Sequence, residues 1–505
     1  MRFSNSSLVF GTVLLLALRL TGAFLIELAP QEAYYWNYAM HPALGYFDHP
    51  PAVAWVIRAG YEVVGKSEIG VRIGGYVLTL LSTGLLYLLA KLWFSKRAGL
   101  WAAFLFQIVP LFLVYGMLIT PDVPLTFFWL LTLYLVSRAV REARSGLWYY
   151  AGGSLGLAFL SKYSAAFLVL STCLFLLCDP RYRFWLRRKE PYLALAIAAI
   201  FFTPVVLWNM EPGWASFKFQ VSDRLAVQAN NPLRRFSEYV LIQLGVTSPM
   251  FIAALLLIGA VPRSLPWQPR RGAWRFALAF SLPLLLFLLA YGSRATVKAN
   301  WPLPGYLPLL LAAYPAYRYL RFGSGQRMRI AARRLLVCWL CAMPLLYGVA
   351  IYHLTKTLPH VKVHRWTTGW RELGKLVGSH ARVLEQESSQ KVFLLGLDTH
   401  YLASALSFYA EGGYPVFSRN LIGRPALAFA YWGAATEPRG MNALAIDVNE
   451  PDPSKLRPYF ERVDEQVTRV PVMLGERRLY DFYLVKCYGY KGIGAAQKKL
   501  SSGSD

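Results

Sequence analysis

Residues 146–180 read GLWYYAGGSLGLAFLSKYSAAFLVLSTCLFLLCDP. From Leu147 to Cys178 the only charge is Lys162. Arg138, Arg141 and Arg144 precede the run, and Arg181, Arg183, Arg187, Arg188 and Lys189 follow it. A membrane-spanning helix takes roughly 20 apolar residues. The stretch is too long for one span and barely long enough for two. Basic flanks at both ends place both ends on the same, cytoplasmic side. The reading is a tight helical hairpin whose outer turn is Ser161-Lys162-Tyr163-Ser164.

The same grammar extends in both directions. Further apolar runs lie near 8–27, 73–93, 98–118, 123–139, 191–209, 239–261, 275–291, 303–319 and 335–352, which makes eleven spans with the hairpin. Alternate loops hold clusters such as Lys91/Lys96/Arg97, Arg263/Arg270/Arg271/Arg275 and Arg318/Arg321/Arg327/Arg329/Arg333/Arg334. The opposite loops hold most of the acids. This asymmetry puts the N-terminus in the cytoplasm, and an odd span count puts residues 353–505 outside. Arg2 and the first apolar run resemble a signal peptide. Arg19 interrupts that run and no small-x-small cleavage site follows, so residues 8–27 read as a retained span.

Composition agrees: 56% of the 505 residues are hydrophobic and 16% charged, with mean hydropathy +0.37. The net charge of +26 is topological rather than a nucleic-acid footprint, because its basic residues sit between apolar runs. Five cysteines make no disulfide framework; Cys338-x-x-Cys341 has redox spacing but lies within a span.

Two outer loops are long. In residues 28–72, Gln31–Met40 reads as a short interfacial helix with Tyr34, Tyr35, Trp36 and Tyr38 at headgroup level, and Pro51–Val64 as another. In residues 210–238, Trp214, Phe217 and Phe219 alternate with polar groups. Thr120-Pro121-Asp122-Val123-Pro124 makes a stiff outer corner between two spans. Residues 353–490 change character and read as a soluble α/β domain. Its strands are Lys391–Leu397, Ala443–Val448 and Arg477–Lys486, and its helices Trp370–Gln386 and His400–Glu411. Residues 491–505 read as a disordered tail.

Ionisable groups at membrane depth are costly, so each is a functional suspect. Glu32, Asp48, His49, Asp122, Lys162, Arg224 and Lys298 all fall at the outer face. Each has a structural alternative. Glu32 can serve the N-terminus of its own helix. Asp48-His49-Pro50-Pro51 can be a capped turn with proline at the first helical position. Arg72 can be a snorkelling cation, and Arg234 and Arg235 can meet lipid headgroups. Carboxylates and cations gathered on one face point to a general base and an anionic phosphate sharing a cleft.

Pro30-Gln31-Glu32-Ala33-Tyr34-Tyr35-Trp36, Gly45-Tyr46-Phe47-Asp48-His49-Pro50-Pro51 and Thr120-Pro121-Asp122-Val123-Pro124 resemble bacterial glycosyltransferases of the GT-C fold. That group includes the protein O-mannosyltransferase-like family (glycosyltransferase family 39) and relatives that transfer aminoarabinose or galacturonic acid to lipid A. Gly156–Tyr163, Trp208-Asn209, Trp214–Gln220 and Lys298-Ala299-Asn300-Trp301-Pro302 fit the same pattern, so residues 10–310 resemble it in order. The resemblance implies a polyprenyl-phosphate sugar donor, a lipid or protein acceptor and an inner-membrane enzyme with its active site facing the periplasm. It also implies an acidic pair in the first outer loop. Here that pair is Gln31-Glu32, and a carboxamide cannot take a proton, so the duty passes to Glu32 or Asp48. Glu32 is expected first as base, with Asp48 positioning. Donor phosphate is expected near Lys162, Arg224 and Lys298, with Arg72, His49, Gln220 and Asn300 as further binding residues. Asp122 is expected to hold acceptor, sugar or metal. A Mg- or Mn-type ion on Glu32, Asp48 and Asp122 would suit hard oxygen ligands. A polyprenyl-linked glycan ligase or polymerase is the alternative enzyme. A transporter of an anionic lipid or sugar would instead show midplane charges and internal symmetry.

Overall fold

The computed structural model describes residues 4–223, 230–247, 271–322, 368–432 and 437–494, with isolated positions 326, 330, 334 and 337. Two units result: Met1–Phe24 with Ala43–Tyr347, and Leu25–Pro42 with Gly348–Asp505. Arg224, Cys338, Cys341, the expected span at 335–352 apart from position 337, and the residues from 495 onward lie outside the described residues.

The first unit is helical. In chain order come α1 (Asn5–Leu25), α3 (Ala52–Val64), α4 (Glu68–Trp93), α5 (Lys96–Ile108), α6 (Pro110–Met117) and α7 (Asp122–Glu142). Then follow α8 (Leu147–Phe159), α9 (Ala166–Cys178), α10 (Glu190–Met210), the one-turn α11 (Ala215–Lys218), α12 (Pro232–Thr247), α13 (Arg271–Tyr291) and α14 (Leu303–Phe322). Among the described residues five helices are long and apolar enough to cross a membrane, and α5 with α6 forms a sixth bent by 68°. Where the hairpin was expected, α8 and α9 are joined by a corner at Ser161–Ala165 but pack on other helices, α8 on α7 and α10 and α9 on α13, and they have only 13 residues each. That is about 20 Å, short of the roughly 30 Å hydrocarbon layer.

Local chemistry sets the ends. Ser67 accepts from Gly70 N at 3.1 Å and Ser95 from Ala98 N at 3.2 Å, satisfying first-turn donors of α4 and α5. Proline at 110 has no N–H and starts α6 afresh. Gly152 and Gly156 let α8 lie directly on α10, since a Cβ at either would overlap Ala194 or Phe201. The apolar centre carries an aromatic stack in which the Trp93 and Phe276 centroids are 4.6 Å apart.

The second unit contains α2 (Pro30–Met40), α15 (Trp370–Ser388), α16 (Tyr401–Tyr409) and strands β1 (Val392–Gly396), β2 (Val416–Ser418), β3 (Asn442–Asp447), β4 (Phe460–Val463), β5 (Thr468–Leu474) and β6 (Arg477–Tyr490). The sheet runs β2-β1-β3-β6-β4, with β5 on β6. β1 is parallel to β2 and β3, and β6 antiparallel to β3. The all-buried β1, VFLLG, explains the continuous apolar run, as a two-faced parallel strand requires.

Leu25–Pro42 divides differently from the expected boundary at 352. Helix α2, expected as an interfacial helix, packs into the core of this unit. Tyr34 and Tyr38 are fully buried. The Tyr34 hydroxyl accepts from Ala428 N at 3.1 Å, and its ring lies 4.6 Å from His400. Trp36 meets Phe408 edge-on at 5.1 Å. Leu28 N donates to the Tyr409 hydroxyl at 2.6 Å and Trp370 N to Glu27 at 2.7 Å. Protein contacts cover these amphipathic rings.

Asp398 follows β1 and accepts from the N–H groups of Tyr401 and Leu402 at 3.1 Å. Burial pushes its carboxyl from 3.8 up to about 6. The folded state therefore keeps a proton that the unfolded chain has lost. This contribution to stability is full below 3.8 and is lost as pH rises towards 6. Asp398→Asn is expected to flatten that slope. Hydrogen exchange of β1 in the full-length chain across this range checks it; an unchanged slope would refute the assignment.

Candidate active site

Pro121 and Asp122 open α7 after the stiff corner anticipated from sequence. Asp122 is 2% exposed. Its Oδ1 accepts from Lys162 Nζ at 2.8 Å and its Oδ2 from Asn300 Nδ2 at 2.5 Å. Lys162 is extended backbone at the corner between α8 and α9. Its ammonium has three N–H groups, and the bond to Asp122 leaves two for a ligand. Asn300 lies in the loop before α14. Gln243 of α12 holds that loop, donating to Ala299 O and accepting from Tyr306, both at 3.3 Å.

The Asp48 turn docks on the same corner. Ala52 N, just after the two prolines, donates to Leu160 O at 2.9 Å. Tyr46 N donates to His49 O at 3.2 Å, closing the turn. Gly45 sits under Trp208, where a Cβ would meet the indole at 3.1 Å. Asp48 is 5% exposed, and its backbone oxygen accepts from Gln220 Nε2 at 2.7 Å. Its carboxylate is near enough to Tyr163 to act on it electrostatically. Tyr163 in turn bonds Ser216 at 2.8 Å.

Among the residues expected from sequence, the first unit thus brings Asp122, Lys162 and Asn300 into contact, and joins Gln220 to Asp48. His49 is half-buried in the same turn. Lys298 is exposed, on the turn closed by Trp301 N to its carbonyl at 3.1 Å. Arg72 is 3% exposed and donates to Ala23 O at 3.1 Å, so it ties α4 to the end of α1 rather than snorkelling. Glu32 belongs to the second unit. It is fully buried, and its Oε2 accepts from Ala29 N at 3.0 Å, so one carboxylate oxygen serves the N-terminus of its own helix, the structural alternative weighed for it. Among the described residues no three His, Cys, Asp or Glu side chains group so as to hold a metal ion. Each Asp122 oxygen accepts one bond from a protein group, and the carboxylate holds Lys162 and Asn300 together.

Sequence reasoning passed over Thr120, whose hydroxyl is buried without a partner among the described residues. It also passed over Asn209, whose Oδ1 accepts from Phe217 N at 3.3 Å and so shapes the loop carrying Gln220. The signal for both was present in the Thr-Pro-Asp and Trp-Asn motifs.

Residues 48–208 match the model of the dolichyl-phosphate-mannose-protein mannosyltransferase family. The lipid A galacturonosyltransferase RgtD of Rhizobium johnstonii is 27% identical over 301 residues, 59% of this chain and 62% of that protein. The undecaprenyl phosphate-alpha-4-amino-4-deoxy-L-arabinose arabinosyl transferase of Pseudomonas aeruginosa is 30% identical over 305 residues, 57% and 53% of the two chains. The chain therefore spans between half and two thirds of the length of these relatives. The crystal structure of ArnT from Cupriavidus metallidurans bound to undecaprenyl phosphate superposes with TM-score 0.62 at 16% identity, covering 96% of this chain and 98% of that one. The fold is shared with ArnT, and the resemblance read from the motifs holds.

Proposed function

We propose that this chain transfers a monosaccharide from a polyprenyl-phosphate donor to a hydroxyl acceptor, at the periplasmic face of a bacterial inner membrane. The observation that carries the reading is the Lys162–Asp122–Asn300 cluster, packed at the corner on which the Asp48 turn docks. A cation held by a buried carboxylate, with N–H groups to offer, suits a phosphate leaving group. The names of the relatives, acting on lipid A and using undecaprenyl phosphate, support a glycolipid acceptor and a polyprenyl donor.

The acceptor oxygen bonds to the anomeric carbon from the face opposite the phosphate. The carbon–oxygen bond to phosphate breaks, its electron pair leaves with the polyprenyl phosphate, and configuration inverts. Lys162 stabilises the charge growing on that phosphate, with Lys298 and Arg224 as further cations. The acceptor proton passes to a carboxylate. Asp48 suits this role because its turn docks on the corner that carries Lys162, whereas a Glu32 oxygen accepts from Ala29 N at its own helix start.

The test is release of sugar from a purified undecaprenyl-phosphate donor when lipid A is supplied. No release with any of the donor sugars used by the relatives would overturn the reading. Topology has its own check. Reporter fusions after Arg188 and after Tyr490 are expected in opposite compartments, cytoplasmic and periplasmic; identical compartments would refute the orientation.

A further inference from the structure

Arg19 lies in α1, whose other faces are largely lipid-type surface: Phe10, Val13, Leu18 and Phe24 are exposed. Yet Arg19 itself is 1% exposed. It sits six residues from the end of α1, about 9 Å along the axis, inside the apolar layer where a charge is costly. Its guanidinium is directed at one place, the break between α5 and α6. Nη2 donates to Phe106 O at 3.1 Å and to Gln107 O and Phe112 O at 3.2 Å.

The break explains the choice. In an unbroken helix Phe106 O would accept from residue 110, but Pro110 has no N–H. The 68° bend takes the next amide away from Gln107 O as well. Two carbonyls are left at membrane depth, where each must find a donor. Arg19 supplies one group to both and reaches across to α6. Gly116 makes room for it: a Cβ there would stand 2.7 Å from Nη1. The Tyr76 hydroxyl donates to Arg19 O at 2.7 Å, fastening α1 to α4 at the same level.

Helix α6 leads within a few residues to Asp122. Leu118 N closes on Val114 O, and Val123 N on Thr120 O at 3.0 Å. The direction in which α6 leaves the break therefore sets where the corner delivers Asp122. We infer that Arg19 is a positioning residue: it clamps the α5–α6 break and so aims the Asp122 corner at Lys162 and Asn300. The catalytic part of this inference rests on the transferase reading; the clamp does not.

The test uses the full-length protein in lipid nanodiscs, with Arg19→Gln and Arg19→Lys. Arg19→Gln is expected to speed amide exchange at residues 118–123 at least tenfold while leaving 392–396 unchanged. Transfer per folded molecule should fall at least tenfold in kcat. Arg19→Lys should recover part of both. Unchanged protection at 118–123 in folded Arg19→Gln, or a loss spread evenly over the chain, would overturn the clamp. Should Arg19→Gln fail to accumulate, Gly116→Ala intrudes on the guanidinium from the other side and should show the same local loss. Should the wild-type protein transfer no sugar, the exchange result still decides the clamp, so the two readings fail separately.

Discussion

Asp48→Asn is expected to lower sugar transfer by about 10²- to 10⁴-fold, the range that a general base contributes, while donor affinity changes little. The amide keeps the shape and its backbone oxygen keeps the bond from Gln220; only the basicity goes. The loss should fall on kcat, because the proton leaves the acceptor only as the new bond forms. Glu32→Gln should behave differently. It weakens the single bond from Ala29 N at the start of α2 by replacing a charged acceptor with a neutral one, a loss of about 1 kcal/mol, and lowers stability more than chemistry. The two variants are compared by sugar release from the polyprenyl donor, with donor binding measured separately. Near-normal transfer by Asp48→Asn beside a dead Glu32→Gln would move the base to Glu32.

Lys162→Ala should produce the second large effect, in two parts. Removing the ammonium leaves Asp122 buried without its cation. Breaking such a pair costs about 3–5 kcal/mol, visible as a fall in Tm. It also removes the cation proposed for the phosphate, so donor KM should rise by at least tenfold. The parts separate in Lys162→Met with Asp122→Leu. That double variant removes the stranded charge and should regain stability, since an apolar pair can replace a buried ion pair, but transfer should stay low. Normal transfer in the double variant would reduce the pair to a structural bridge. Lys162→Arg should be tolerated in part if charge alone is needed, and poorly if the corner demands a compact ammonium.

Much of the helical unit was legible because its signals are local. An apolar run of span length, a proline corner and a cluster of arginines each declare themselves within some twenty residues. The described helices fall where the runs do, and the short pair α8 and α9 turns at the serine and lysine anticipated for it. In the second unit β1, β3 and β6 were readable as apolar or alternating runs. The short β2 and β4, of three and four residues, carry too little pattern to read.

Sequence by itself determined that this chain is polytopic and that an α/β domain follows. Those properties depend on composition and period, which a chain carries whether folded or not. Tertiary structure alone decided that α2 builds the core of the second unit, because four aromatic residues look the same whether lipid or protein will cover them. It alone decided the partners of Asp122, which are 40 and 178 residues away. It also decided those of Arg19, between 87 and 93 residues away. A buried charge announces in sequence only that it needs a partner; which group answers depends on how the helices cross, and that follows from packing the whole unit.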